Sequence, residues 1–411
     1  MTSVYGRLRG LFGKSCSATA ATKSIRSSAV LSKPRRHGQN LPVKSFPVVR
    51  DEAEAADRGP MSERDKMLRR EVTKFKKKSE SEKFRARFSP YEKIVTRLVK
   101  WEQLSLVEEI LEHQKRYPEV GSEGFTVRLL LLYGKAGMFD HAQKLFDEMP
   151  ELKCERTVLS LNALLDACVV SKRFDKIEDL IRELPAKLNV KPDIVTYNTI
   201  VKAFCQKGSL DEALSFVDVM EKAGVEADVI TFNTLMEAFC KSGRVGDTEK
   251  IEGLMEKKNI ALNIRSCNSK LRGLVAEGRT ADAIELFSTL ESKGLKPDVY
   301  SFNALLQGFR DEENVQEAKR WYGEMMKCGI TSDKVTYTIM IPLLCKRGDS
   351  EMALNLCRRL IKDCVLLPRN LLQMVVDELV SESRTDDAME LIELGKSNKY
   401  FHYHLELLPQ E

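Results

Sequence analysis

The sequence predicts an all-α protein built by repetition, and three observations carry that prediction. A 35-residue period runs through the chain, each period holds two stripes of apolar residues at helical spacing, and small residues recur at fixed places within it. Four successive segments align without gaps, starting at Ile194, Val229, Ile264 and Val299. The register continues over residues 334–368 and, with one extra residue, backwards over 158–193. Less regular copies occupy 123–157, 88–122 and 369–403, so about nine units are expected, the terminal ones weakest because a stack of repeats must end against water.

Each unit reads as two antiparallel helices. In the unit from Ile194, the apolar residues Ile200, Val201 and Phe204 recur at helical spacing and stop at Gly208, a helix-ending residue that tolerates a left-handed backbone. Ser209 and Glu212 then have the spacing of a capping box for the second helix. Ala213, Phe216, Val217 and Met220 supply its buried stripe, and Gly224 closes it. Gly137, Gly243, Gly278 and Gly348 take the place of Gly208 elsewhere, while Ala142, Ala283, Ala318, Ala353 and Ala388 take that of Ala213. A single helical pair cannot bury both faces, so neighbours must stack into one superhelix with a concave surface.

Charge divides the chain differently. Residues 1–50 hold ten basic residues and no acid, with Ser, Thr and Ala abundant, which is the composition of a mitochondrial transit peptide or of a retained basic arm. Subtracting those ten from the overall +5 leaves the remainder at −5, unusual for a general nucleic-acid binder. Residues 51–87 read as a basic linker, and within them Arg64 to Arg87 carry a local +7. Arg69, Arg70, Lys74, Lys76, Lys77, Lys78, Arg85 and Arg87 are its candidate phosphate contacts; the competing reading is a solvated, partly helical linker whose charges touch nothing.

Chemistry has no foothold here. There is no Gly-rich phosphate loop, no H-E-x-x-H, no G-x-S-x-G and no deaminase signature, so neither an enzyme nor a cofactor or metal site is expected. The ten cysteines lack C-x-x-C spacing, and Cys168, Cys205, Cys240, Cys267, Cys328 and Cys345 read as reduced, buried small residues. The densest apolar run, Leu129 to Tyr133, is far too short for a membrane span, and nothing suggests a small-molecule substrate. The pair His402 and His404 reads as a frayed terminus where the last repeat gives way to a tail over 404–411, His113 and His141 read as surface helix residues, and Trp101 and Trp321 as packing residues.

Strings such as "VTYNTIVKAFCQKGSLDEA", "ITFNTLMEAFCKSGRV" and "VTYTIMIPLLCKRGD", with "GLKPD" at a repeat end, resemble the 35-residue pentatricopeptide (PPR) motif. The resemblance covers residues 88–403 and implies a right-handed α-solenoid. Further strings, "LVEEILEHQKRY", "LYGKAGMFDHAQKLFDEMP" and "ELGKSNKY", resemble a subgroup of plant mitochondrial PPR proteins associated with the small subunit of the mitochondrial ribosome. That resemblance implies single-stranded RNA, as rRNA or mRNA, and mitochondrial ribosomal proteins as partners. The alternative is a free organellar factor that binds a pyrimidine-rich transcript for its stability or translation.

In the family, a polar residue near the start of the first helix and the last residue of the repeat together specify about one base. Carried onto this sequence, the pairs are Asn162 with Asp193, Asn198 with Asp228, Asn233 with Asn263, Asn268 with Asp298, and Asn303 with Asp333. By the same resemblance they favour pyrimidines, mostly uridine. Outer units depart from the pattern, with Val127 and Thr157 in one, Thr338 and Pro368 in another. A second role competes for these residues, since Asn and Asp at helix starts also cap backbone amides.

Overall fold

Each repeat folds as two helices because its sequence is punctuated at both ends of the first. The residue closing one repeat is the N-cap of the next: Asp228, Asn263, Asp298 and Asp333 each accept a hydrogen bond from the backbone of the residue three positions on, whose hydroxyl receives the cap's own N–H in return. Glycine ends the helix. At Gly208 the backbone turns to φ +84°, and Ser209 N–H reaches back to the Phe204 carbonyl at 3.0 Å, a Schellman closure.

That closure removes the capping box expected at Ser209. Its side chain makes no cap bond, and the backbone N–H that the Glu212 carboxylate would have received is already donated to Phe204. Second helices elsewhere do find caps, at Asn314 and Asp349, whose carbonyl and carboxylate oxygens accept from Glu317 and Met352 N–H at 3.2 Å.

This is a computed structural model, and it describes residues 62–397 and 403–407. Every regular element among them is helical. The chain divides at Thr199 into two compact units. The first holds α1 (Glu63–Lys78), α2 (Glu82–Arg85) and the hairpins α3 (Ser89–Lys100) with α4 (Leu104–Gln114), α5 (Glu123–Lys135) with α6 (Phe139–Glu148), and α7 (Val158–Val170) with α8 (Phe174–Leu188). The boundary falls within α9 (Ile194–Lys207), which is followed by α10 (Leu210–Lys222). The second unit continues with α11 (Val229–Lys241) and α12 (Thr248–Lys257), α13 (Ile264–Ala276) and α14 (Thr280–Ser288), then α15 (Val299–Asp311) and α16 (Val315–Lys327). It ends with α17 (Lys334–Lys346) and α18 (Ser350–Lys362), and α19 (Arg369–Ser381) and α20 (Thr385–Ser397).

Within each unit the first helices stack in chain order, α3, α5 and α7 in one and α11, α13, α15, α17 and α19 in the other, while each closes on its own partner. Each unit is therefore an α-solenoid. The alanines read as close-approach positions, Ala142, Ala213, Ala283, Ala318, Ala353 and Ala388, are all fully buried. Cys168, Cys240, Cys267 and Cys345 are buried among the stripes, but Cys205 is half-buried and Cys328, at the C-cap of α16, is exposed. Burial pushes the Cys168 and Cys345 thiols up to about 12, so they remain protonated packing groups.

Both ends correct the sequence reading. The described part of the 51–87 segment is a folded cap: α1 turns Leu68, Val72 and Phe75 inward and packs on α4, tied to α4 by Lys76 to Glu109 at 2.5 Å and to α3 by Glu71 to Arg97 at 2.7 Å. At the other end, residues 403–407 lie against the last hairpin with Tyr403 and Leu405 buried, and Leu367 N–H donates to the Tyr403 hydroxyl at 3.1 Å. His404 is thus an exposed position in a docked segment and not part of a frayed end, whereas His402 and the basic region 1–50, expected as a transit peptide, lie outside the described residues.

Candidate nucleic-acid interface

The asparagines sit one turn into their first helices, where the side chain points along the stacking direction and meets the start of the next repeat. Asn162, Asn233, Asn268 and Asn303 are only 5–8% exposed. None is an N-cap. Asn162 Nδ2 donates to Asp193 Oδ1 at 2.9 Å, Asn268 to Asp298 at 2.9 Å, and Asn303 to Asp333 at 3.0 Å. The other end of each amide is held by a hydroxyl from the same neighbour. Thr196, Ser266, Ser301 and Thr336 donate to the Oδ1 atoms of Asn162, Asn233, Asn268 and Asn303 at 2.6, 2.5, 2.7 and 2.8 Å.

The two roles that compete in sequence are therefore divided between partners. The repeat-closing Asp or Asn caps the next repeat's first helix, and Asn162, Asn268 and Asn303, each from the repeat that its Asp closes, lean on that cap. A carboxamide carries two N–H donors and a two-lone-pair oxygen, so Asn162, Asn268 and Asn303 each have a second N–H besides the one given to the cap, and the bonds from these amides and from the third residue of the next repeat fall on Oδ1 of Asp193, Asp298 and Asp333. Burial pushes the Asp193 carboxyl up, but hydrogen bonds from Thr196 and Asn162 outweigh it and hold the group below its ordinary range. It stays an acceptor at neutral pH. Asn198 belongs to the first unit and Asp228, the N-cap of α11, to the second.

A second row was not read from the sequence. Directly after each repeat's first residue comes a side chain left in solvent: Leu159 and Val195 in the first unit, and Ile230, Tyr300 and Val335 in the second, 49–60% exposed. Arg265 holds the same place in its repeat. The signal was available, since a large apolar residue recurring at the 35-residue period one position outside the buried stripe has no core to serve. Beside polar groups that can meet a base edge, such residues offer faces for a base to stack on.

The basic segment is sorted by burial. Arg69, Arg70, Lys74, Lys77, Lys78 and Arg87 are exposed, whereas Lys76 is tied to Glu109. Arg85 leaves the set of phosphate candidates: it is 7% exposed, bonds Glu119 at 2.5 Å and the Ser79 and Glu80 carbonyls at 2.7 and 3.0 Å, and lies over the Tyr117 ring. Its work is to hold the turn after α1. Trp101 packs only in part; it is 38% exposed, with the Arg64 guanidinium 4.4 Å above its ring. Trp321 does pack, edge-on to Phe287 at 5.1 Å.

Among the described residues no cluster of His, Cys, Asp and Glu could hold a metal ion, and no helix is long and apolar enough to cross a membrane. Comparison with family models gives two matches. The PPR repeat family model covers residues 192–241, 262–311 and 299–346, and a second PPR repeat model covers 128–154, 159–187, 230–260 and 335–365. The chain belongs to the PPR repeat family. It is 54% identical over 156 residues, 38% of this chain and 39% of the other, to the Arabidopsis thaliana small ribosomal subunit protein mS78 (rPPR3a). It is 51% identical over 151 residues, 37% of this chain and 38% of the other, to mS79 (rPPR3b) of the same plant. The matches thus span about two fifths of these curated relatives' length. Among solved structures, the crystal structure of PPR10 from maize covers 81% of this chain and 55% of its own, at a TM-score of 0.49 and 21% identity.

The outer PPR repeats show what replaces the ladder where its residues are missing. Opposite Val127 the cap Thr157 is held by Glu123, whose carboxylate accepts from the Thr157 N–H at 2.8 Å and hydroxyl at 2.9 Å. Thr338 donates its hydroxyl to the Lys334 carbonyl of its own helix at 2.8 Å, and Pro368, the next cap, offers no side-chain acceptor, so Thr338 has no donor for a base. In the last PPR repeat Gln373 takes the asparagine's place, and its amide pairs with the docked segment instead, donating to the Glu406 carbonyl at 2.7 Å and accepting its N–H at 3.1 Å.

Proposed function

We propose that this protein is a non-catalytic, RNA-binding PPR component of the mitochondrial ribosome, in its small subunit, where it supports mitochondrial translation. RNA contact is carried by one observation, the repeated Asn–Asp ladder with an exposed side chain beside it, apolar at Leu159, Val195, Ile230, Tyr300 and Val335 and basic at Arg265. The likeness to proteins named as small ribosomal subunit components supports the placement, and the basic Ser-rich segment over 1–50 supports import.

The base preference follows from the donors. Uracil presents an N3–H between two carbonyls, so it can give its proton to the Asp Oδ2 and accept the remaining Asn N–H. Cytosine turns an unprotonated N3 toward the carboxylate, which repels it. Asn162 with Asp193, Asn268 with Asp298, and Asn303 with Asp333 therefore read uridine, and Asn198 with Asp228 carries the same residue types. Asn233 with Asn263, with a neutral amide at the cap, accepts cytosine as well.

Phosphates meet the exposed face of α1, through Arg69, Arg70, Lys74, Lys77 and Lys78, with Arg87 nearby. Changing Lys74, Lys77 and Lys78 to Gln is expected to weaken binding to every RNA sequence alike. The slope of log affinity against log salt should become shallower by about 2, roughly 0.7 for each lost contact to a single strand. An unchanged slope in a salt titration would remove this face from the interface.

Sedimentation of a mitochondrial lysate on a sucrose gradient tests the placement. Stoichiometric migration with small-subunit markers, retained after EDTA separates the subunits, is the expected result. Migration at the top, or in light ribonuclease-sensitive particles, would replace this reading with a free factor that binds a pyrimidine-rich transcript.

A further inference from the structure

We infer that the hydroxyl at the third position of each PPR repeat, Thr196, Ser266, Ser301 or Thr336, is a specificity-positioning residue for the repeat before it, a deepening that rests on the proposed RNA reading. An Asn side chain presents N–H or C=O to a ligand depending on a half-turn of its amide, and in water the two orientations are close in energy. Here one orientation is imposed from both ends. The hydroxyl donates to Oδ1 of Asn303 while Asp333 accepts from its Nδ2, and the same holds for Asn268 between Ser301 and Asp298 and for Asn162 between Thr196 and Asp193.

The carboxylate alone cannot do this as well. Asp333 Oδ1 already accepts from the Thr336 N–H at 2.9 Å as the cap of α17, so it is shared between the helix start and the amide. The hydroxyl itself is fully buried at Thr196, Ser266, Ser301 and Thr336, where solvent cannot substitute for it. It accepts the cap's N–H, at 3.1 Å from Asp193, 3.1 Å from Asp298 and 3.2 Å from Asp333, and its single proton has two acceptors, the preceding asparagine Oδ1 at 2.6–2.8 Å and the cap's own Oδ1 at 3.0–3.1 Å, of which the asparagine is the nearer. The result is an amide set to show its remaining N–H outward, toward a uracil carbonyl. A residue that never touches the base thereby sets which base is read, across a repeat boundary.

The test uses the full chain with Thr336→Val and Ser301→Ala together, and the hydroxyl-retaining pair Thr336→Ser and Ser301→Thr. Affinities for oligo-uridine and oligo-cytidine are measured with each, along with hydrogen exchange of the Asn268 and Asn303 side-chain amides in the RNA-free protein. The expected result is faster amide exchange and a fall of about tenfold in the uridine-to-cytidine ratio, the worth of one to two ordered hydrogen bonds, restored by the hydroxyl-retaining pair. A purely structural role for the hydroxyl would lower both affinities together and leave the ratio unmoved, and that outcome overturns the inference. Should the unaltered protein itself fail to prefer uridine, the RNA reading falls first and the inference with it.

Discussion

Gly134→Ala is expected to destabilise the first unit by about 2 kcal/mol, although alanine is the better helix former by roughly 1 kcal/mol. Gly134 lies inside α5 where it crosses α7, and a Cβ placed on it would sit 2.5 Å from the Ala167 Cα and 2.7 Å from its Cβ. Backbone cannot step aside as a long side chain does, so the two helices must separate and loosen the buried contacts along their length. Gly253→Ala is the matched control. That glycine is also inside a helix, α12, but nothing lies within 4 Å of its added Cβ, so the propensity gain of about 0.5–1 kcal/mol stands alone. Urea denaturation followed by circular dichroism should move the midpoint down for the first variant and up for the second. Equal shifts in the same direction would show that the α5–α7 approach is not the constraint.

Changing Asn268 and Asn303 together to Ala is expected to lower affinity for oligo-uridine by about a hundredfold, on the order of 1–1.5 kcal/mol per lost amide contact. The fold should survive the change. Asp298 and Asp333 still accept from Ser301 and Thr336 N–H at 3.0 and 2.9 Å, so the caps of α15 and α17 do not depend on the asparagines. Asn355→Ala, on the exposed side of the second helix α18, supplies the comparison and should leave binding unchanged. Loss of affinity in the double variant alone, with an intact circular dichroism spectrum, would establish that the ladder contacts RNA. Equal affinity in all three proteins would show that it is a structural seam only.

Much of this architecture is legible in the sequence, and for a physical reason. The apolar stripe ending at Gly208, the alanine at 213 and its equivalents, and the 35-residue register are short-range signals, because helical periodicity and left-handed turns are settled by residues a few positions apart. The misreadings cluster where a choice depends on a second partner. Ser209 with Glu212 has the spacing of a capping box, yet the N–H it needs is drawn to Phe204 by the preceding turn. The run of charge before residue 88 looked like a linker, because three inward residues separated by basic side chains give a weak stripe until α4 is there to receive them. Arg85 is indistinguishable in sequence from Arg87, and only the position of Glu119, 34 residues away, makes one structural and leaves the other exposed.

By itself the sequence determined that this chain is a stack of helical hairpins, where each begins, and which asparagines and aspartates recur along it. Only the tertiary structure decided what those polar groups have left to offer. Asn303 and Asp333 are 30 residues apart and Thr336 is 33 from Asn303, so which oxygen takes which proton is set by how one repeat settles on the next. Hydrogen bonding is directional over a few tenths of an ångström, and a pattern of residue types does not encode that distance until the helices have packed.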